Sequence, residues 1–162
     1  MKPRTQAIAA KGNTAAYSLI DYPGHGRLRL QVGDHIASAP CVIFVVDATD
    51  TSASTVQQAA EYLYMLFTMS TFVAARPKLM VVCNKSDLGG AATPLKWRRL
   101  LETEITQVNK TSQGVVDDGD ATRVALSGGA NFKFGEDVSF EAISVTTNAG
   151  IDTVQGFIAA TL

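Results

Sequence analysis

A three-layer α/β domain, with helices packed on a mostly parallel central sheet, is the fold this sequence predicts. Two observations predict it. Short apolar runs alternate with longer amphipathic stretches along the chain, the signature of strands and helices in alternation. Three of those runs also exit directly into a polar residue: Ala16 to Ile20 into Asp21, Cys41 to Val46 into Asp47, and Leu79 to Cys83 into Asn84. Ligands of open α/β sheets bind outside the carboxyl ends of the strands, so Asp21, Asp47 and Asn84 are expected on one rim.

The elements follow in order. Arg27 to Ala39, with Leu28, Leu30, Val32 and Ile36 as its apolar positions and Pro40 as its stop, predicts a helix, although its first half alternates like a strand. Thr55 to Phe72 places Val56, Ala59, Ala60, Leu63, Leu66 and Phe67 at helical spacing, with Ser52 or Ser54 as cap. Pro94 to Val108 starts with proline at a first turn and continues through Trp97, Leu100, Leu101, Ile105 and Val108 as a third helix. Asn109 to Asp137 dissolves into Thr, Ser, Gly and Asp, and reads as an inserted loop with a small hairpin. Val138 to Ile143 is a fourth strand, and Gly150 to Leu162 a closing helix.

At 162 residues, 46% of them hydrophobic, the chain is expected to form one domain with a continuous core. A formal net charge of -1 supplies no global field for holding nucleic acid or an anionic membrane, so no direct nucleic-acid partner is expected. Cys41 and Cys83 both lie in strand-like apolar runs, as buried free thiols do, and a reducing compartment follows. Met1 to Asn13 has no apolar centre of the kind an export signal carries, and no run reaches the roughly 18 to 20 apolar residues that span a bilayer.

The chemistry concentrates in three elements. Asn84-Lys85-Ser86-Asp87 follows a strand as an N-K-x-D sequence. Its aspartate can accept hydrogen bonds from the guanine N1 and N2 hydrogens, a donor pair that adenine lacks, and a site built for that edge rejects the wrong base. Asp21-Tyr22-Pro23-Gly24-His25 is a D-x-x-G sequence after a strand, roughly 60 residues upstream. Here Asp21 would hold Mg²⁺ through water, and the Gly24 amide would reach the γ-phosphate of GTP with no side chain in the way. His25 stands where an attacking water could be oriented, and a solvated loop histidine is the competing reading. Ser144-Val145-Thr146, at the last strand exit, would set backbone N–H groups against guanine O6. Thr5 is the candidate second Mg²⁺ ligand.

No G-x-x-x-x-G-K-[S/T] sequence occurs, so the amide nest and lysine that cradle β- and γ-phosphates are not encoded in these residues. The expected fold is thus a P-loop-GTPase-like domain, 1–162, starting near the first switch region and lacking the first strand and phosphate loop. An open strand edge beside that missing strand would favour self-association.

The chain resembles the family of signal recognition particle receptor β subunits, from about Thr5 to the C-terminus. The resemblance rests on the D-x-P-G-H form of Asp21 to His25, Leu28-Arg29-Leu30-Gln31, Ile43-Phe44-Val45-Val46-Asp47, Glu61-Tyr62-Leu63-Tyr64 and Val82-Cys83-Asn84-Lys85-Ser86-Asp87. The insertion with Phe132 and Phe134 also falls where that family carries a loop. The resemblance implies GTP and Mg²⁺ as ligands, and docking of the receptor α subunit at the cytoplasmic face of the endoplasmic reticulum membrane. It implies proximity to ribosome or translocon, and an anchor and phosphate loop upstream of Met1. A translation-factor GTPase, which also uses D-x-P-G-H, and a nucleotide-free scaffold on the same fold are the competing readings.

Overall fold

The computed structural model describes residues 4–9, 16–25, 28–112, 126 and 131–162. Its centre is a parallel sheet of three strands in the order β3 (Cys41–Asp47), β4 (Lys78–Asn84), β5 (Val138–Ala142). Strand β4 is the axis of the core because it is apolar on both faces and paired on both edges. Leu79, Val81 and Cys83 point into the larger cluster with Trp97, Leu101, Ile105 and Leu63, and Met80 and Val82 point into a smaller one with Ile143. This continuous apolar run is what a strand buried between two helical layers requires.

One layer is formed by α2 (Ala53–Thr68), α3 (Ser70–Ala75) and α4 (Pro94–Ser112). Trp97, Leu101 and Ile105 of α4, at spacings of four, are fully buried against the sheet. The other layer is α5 (Ile151–Thr161), whose Ile151, Val154 and Phe157 cover the smaller cluster. The predicted three-layer α/β fold with a parallel sheet is therefore present.

The sequence-based elements shift in instructive ways. The expected single helix over Thr55 to Phe72 breaks at Met69, which is extended at φ -73° and ψ 125°. Buried Thr68 turns its hydroxyl back onto the carbonyls of Tyr64 and Met65, a local bond that competes with continuing the helix. The expected helix over Arg27 to Ala39 is a 3-10 turn, Arg29–Val32, followed by a single α turn, α1 (Gly33–Ile36). Gly33 lies in it closely packed, since an added Cβ would sit 3.0 Å from the Met69 sulfur and would require that side chain to shift. Helix α4 runs four residues past its expected end, to Ser112. Of the expected loop hairpin, 113–125 and 127–130 lie outside the described residues, and 131–135 is irregular. Phe132 and Phe134 nonetheless enter the main core, where Phe134 stacks edge-on with Phe140.

The largest correction concerns Asp21. Its strand, β2 (Ala16–Asp21), pairs antiparallel with β1 (Arg4–Ala9), a strand the sequence reading did not expect. These two form a sheet of their own. Asp21 therefore ends a strand of a different sheet from Asp47 and Asn84, which stand side by side in register. Among the described residues, β3 pairs only with β4, and Val45 on that edge strand is 60% exposed.

Candidate functional site: a base-reading rim

At the carboxyl ends of β4 and β5 the two guanine-directed elements meet. Asn84 closes β4, and its side-chain oxygen Oδ1 accepts the Val145 amide proton at 3.3 Å. The Ser86 amide donates to the Ile143 carbonyl at 3.0 Å, and the Ala48 amide donates to the Asn84 carbonyl at 2.8 Å. The 84–87 loop is thus stitched to the exits of both neighbouring strands. Leu88 N–H returns to the Lys85 carbonyl at 3.2 Å and closes a turn that leaves the Asp87 carboxylate exposed.

The second element is a tight turn. Ser144 is fully buried; its amide donates to the Ala149 carbonyl at 2.9 Å and its hydroxyl accepts from the Thr147 amide at 3.1 Å. Val145 and Thr146 are thereby pushed outward, exposed beside Asn84. Gly150 closes the turn at φ 73°, where an added Cβ would stand 2.4 Å from the Ala142 carbonyl oxygen. Only glycine meets both conditions. Asn84, Lys85, Asp87, Ser144, Val145 and Thr146, six residues predicted from sequence, are brought to one place.

Asp47, given only a rim position by the sequence, is part of this place. Its Oδ1 accepts from the Thr49 amide at 2.9 Å and from the Thr49 hydroxyl at 2.6 Å. Its Oδ2 accepts from Lys85 Nζ at 2.5 Å. Hydrogen bonds from Lys85 and Thr49 hold the Asp47 carboxyl down to about 2, so it is ionised at neutral pH. Lys85 itself sits in the left-handed region at φ 66°, which a non-glycine residue occupies only where its surroundings impose it.

The D-x-x-G segment is built differently. Gly24 and His25 are exposed beyond the end of β2, and a Cβ on Gly24 would meet nothing within 4 Å. Arg29 holds the segment: its Nε donates to the Gly24 carbonyl at 3.0 Å, and its guanidinium lies 4.7 Å from the Tyr62 ring centre on α2. Tyr22 donates its hydroxyl proton to the Leu28 carbonyl and packs edge-on against His35, so His35 is an internal contact of this segment. Sequence reasoning missed the anchoring by Arg29 and Tyr22. Both lie in stretches it had singled out, but a cation–aromatic contact across 33 positions has no local signature.

Thr5 and Asp21 are not brought together. Thr5 stands opposite Ile20 and Arg4 opposite Asp21, so Thr5 and Asp21 leave opposite faces of the β1–β2 ribbon. Among the described residues no group of three or more His, Cys, Asp or Glu could hold a metal ion. Asp21 alone offers one carboxylate, as is usual where Mg²⁺ is bound together with phosphates. The donor and acceptor chemistry of Asn84, Asp87 and the 144–146 turn suits a polar base edge, and Asp21 offers one carboxylate to a metal.

A parallel sheet with helices on both faces and two polar loops joined at its carboxyl end defines an α/β domain of the kind that takes its ligand beyond the strand ends. Residues 3–139 match the model of the signal recognition particle receptor beta subunit family, and the chain belongs to that family. The rat signal recognition particle receptor subunit beta is 34% identical over 131 residues, which cover 78% of this chain and 48% of the relative. The chain thus spans about half the length of the curated relatives it matches. The structure of the mammalian SRP receptor superposes with a TM-score of 0.78 at 24% identity, over 100% of this chain and 84% of that one. The receptor SRb of Chaetomium thermophilum matches in its complex with GTP and SRX, with a TM-score of 0.70, 22% identity, and 99% and 75% of the two chains covered. Its GDP-Mg form matches at 0.68 and 22%, over 89% and 80%. Among the described residues, no helix is long and apolar enough to cross a membrane.

Proposed function

We propose that this chain is the guanine-reading part of a signal recognition particle receptor β subunit, which binds GTP and Mg²⁺ and docks the receptor α subunit in co-translational targeting. The observation that carries this reading is the bond from the Val145 amide to Asn84 Oδ1, which fuses the two base-directed loops into one surface beside Asp87. Asp87 accepts from the guanine N1 and N2 hydrogens, and backbone amides of 144–146 face O6. Asp21 holds Mg²⁺ through water, and the Gly24 amide donates to the γ-phosphate. His25 positions the water that attacks it, so hydrolysis depends on the same segment that senses the nucleotide. The relatives' names support the receptor role, and the C. thermophilum structures, which hold GTP with SRX and GDP with Mg, support a nucleotide, Mg²⁺ and a protein partner.

On this reading the protein works at the cytoplasmic face of the endoplasmic reticulum membrane, near ribosome and translocon. The β3 edge, unpaired among the described residues and carrying the exposed Val45, supports self-association when no partner covers it. Calorimetry with GTP and ATP at millimolar Mg²⁺, with and without an α-subunit domain, tests the reading. Saturable GTP binding with no ATP binding is the expected result. Binding of the α-subunit domain with no nucleotide binding would replace the reading with that of a scaffold, and a turnover that responds to ribosomes alone would favour a translation factor.

A further inference from the structure

We propose that Asp47 is a positioning residue for base recognition: from the end of β3 it holds Lys85, and with it the 84–87 loop, in the conformation that presents Asp87. The inference rests on the reading of Asn84 to Asp87 as a guanine site and adds to that site a residue from a third strand.

The geometry has three parts. Asp47 and Asn84 are register partners at the ends of adjacent parallel strands, so the Asp47 carboxylate emerges beside the first residue of the loop. That carboxylate is itself fixed, because both Thr49 donors converge on Oδ1 and leave Oδ2 for Lys85. Lys85 meanwhile holds a left-handed backbone conformation at φ 66°, which costs a non-glycine residue free energy unless something restrains it. The ammonium on Oδ2 is a restraint on its side chain, and the Ala48 and Ser86 amides restrain the backbone on either side. Lys85 and Asp47 are both partly exposed, at 51% and 33% of their side-chain surface, so the pair adds little to global stability. Its effect is local: hydrogen bonds of Asn84 and Ser86 to Ala48, Val145 and Ile143 are the first kind of tie between the loop and its neighbours, and the charged bond of Lys85 to β3 is the second. Releasing the second lets the Lys85 backbone relax toward its ordinary basin and turns the Asp87 carboxylate away from the base edge.

Asp47→Asn is the test, since it keeps an acceptor for Thr49 and removes the charge that holds Lys85. Two readouts separate this proposal from the guanine reading it rests on. In the free protein, amide hydrogen exchange at 85–88 should quicken about tenfold in Asp47→Asn while exchange at 79–83 in β4 stays unchanged. In titrations with GDP and ADP, the GDP affinity should fall about tenfold and the ADP affinity should not change. Lys85→Ala should weaken GDP binding as well, and Asp47→Asn in that background should cost nothing more. Exchange at 85–88 that is the same in both proteins, or that quickens equally throughout β4, overturns the proposal. Local loosening in a protein that binds no GDP leaves the role of Asp47 in the loop standing and removes the guanine reading. Unchanged GDP affinity alongside local loosening overturns the proposal as a statement about recognition.

Discussion

The base-reading rim and the D-x-x-G segment carry motifs of equal sequence clarity, yet the fold holds them in unlike ways. The rim stands on β4 and β5, whose side chains form the centre of the core, and its loops exchange hydrogen bonds between Asn84, Val145, Ser86 and Ile143. The D-x-x-G segment stands on a two-stranded ribbon outside that sheet and is held through Arg29 and Tyr22. The difference teaches where preorganisation resides. On the proposed reading, base identity would be read by a surface fixed by the core, and phosphate and metal contacts would fall to a segment that stands outside the parallel sheet, as suits a part that responds to what is bound.

The contrast can be broken most severely at Gly150. Gly150→Val forces a β-branched residue into φ 73° against the Ala142 carbonyl, and should cost about 3 kcal/mol in chemical denaturation while exposing the 144–149 turn to proteolysis. Asp87→Ala should lower GDP affinity on the order of 100-fold by losing two charge-assisted hydrogen bonds. Because Asp87 is exposed, its melting temperature should match the parent's in calorimetric scans. Arg29→Ala releases the other region: about 1 kcal/mol of stability should go, and amide exchange should quicken at 22–25 but not at 84–87.

Acid sharpens the comparison further. Because the Asp47 carboxyl is held down to about 2, the stabilisation it gives is complete above the ordinary aspartate range near pH 4. It is lost as pH falls through about 2, so Asp47→Asn should flatten the stability profile between those limits. Gly24→Ala is expected to have the smallest effect. With open space around it, stability should stay within about 0.5 kcal/mol of the parent, and only Mg²⁺-dependent discrimination between GTP and GDP should change.

What the sequence disclosed and what it hid follow the same division. Leu79 to Cys83 was legible as a buried parallel strand because burial on two faces leaves an uninterrupted apolar run, whereas Cys41 to Val46, with an equally apolar run, is a strand only partly buried, with Val45 60% exposed. Asn84 to Asp87 was legible because its chemistry is local, and the helix through Trp97 because its period is regular. The pairing of the strand that ends at Asp21 was not legible. Which strand pairs with which depends on contacts distant in sequence, and Arg4 to Ala9, short and mixed, gave no alternation strong enough to announce a strand. The break at Met69 was hidden for a different reason: Thr68 back-bonding and the packing of Met69 on Gly33 overrode a helical period that continued through Phe72. Asp47 was visible as a strand exit, but its bond to Lys85 joins residues 38 apart and needed the register of β3 with β4 to be seen.

The central claim is that this chain builds a surface for guanine from two loops held by the parallel sheet. Titrating GDP into the isotope-labelled protein and following backbone amide resonances tests it directly. Saturable shifts are expected at Asn84 to Asp87 and Ser144 to Thr146, with none on addition of ADP. Equal shifts with both nucleotides, or shifts confined to 21–25 with the rim silent, would contradict it.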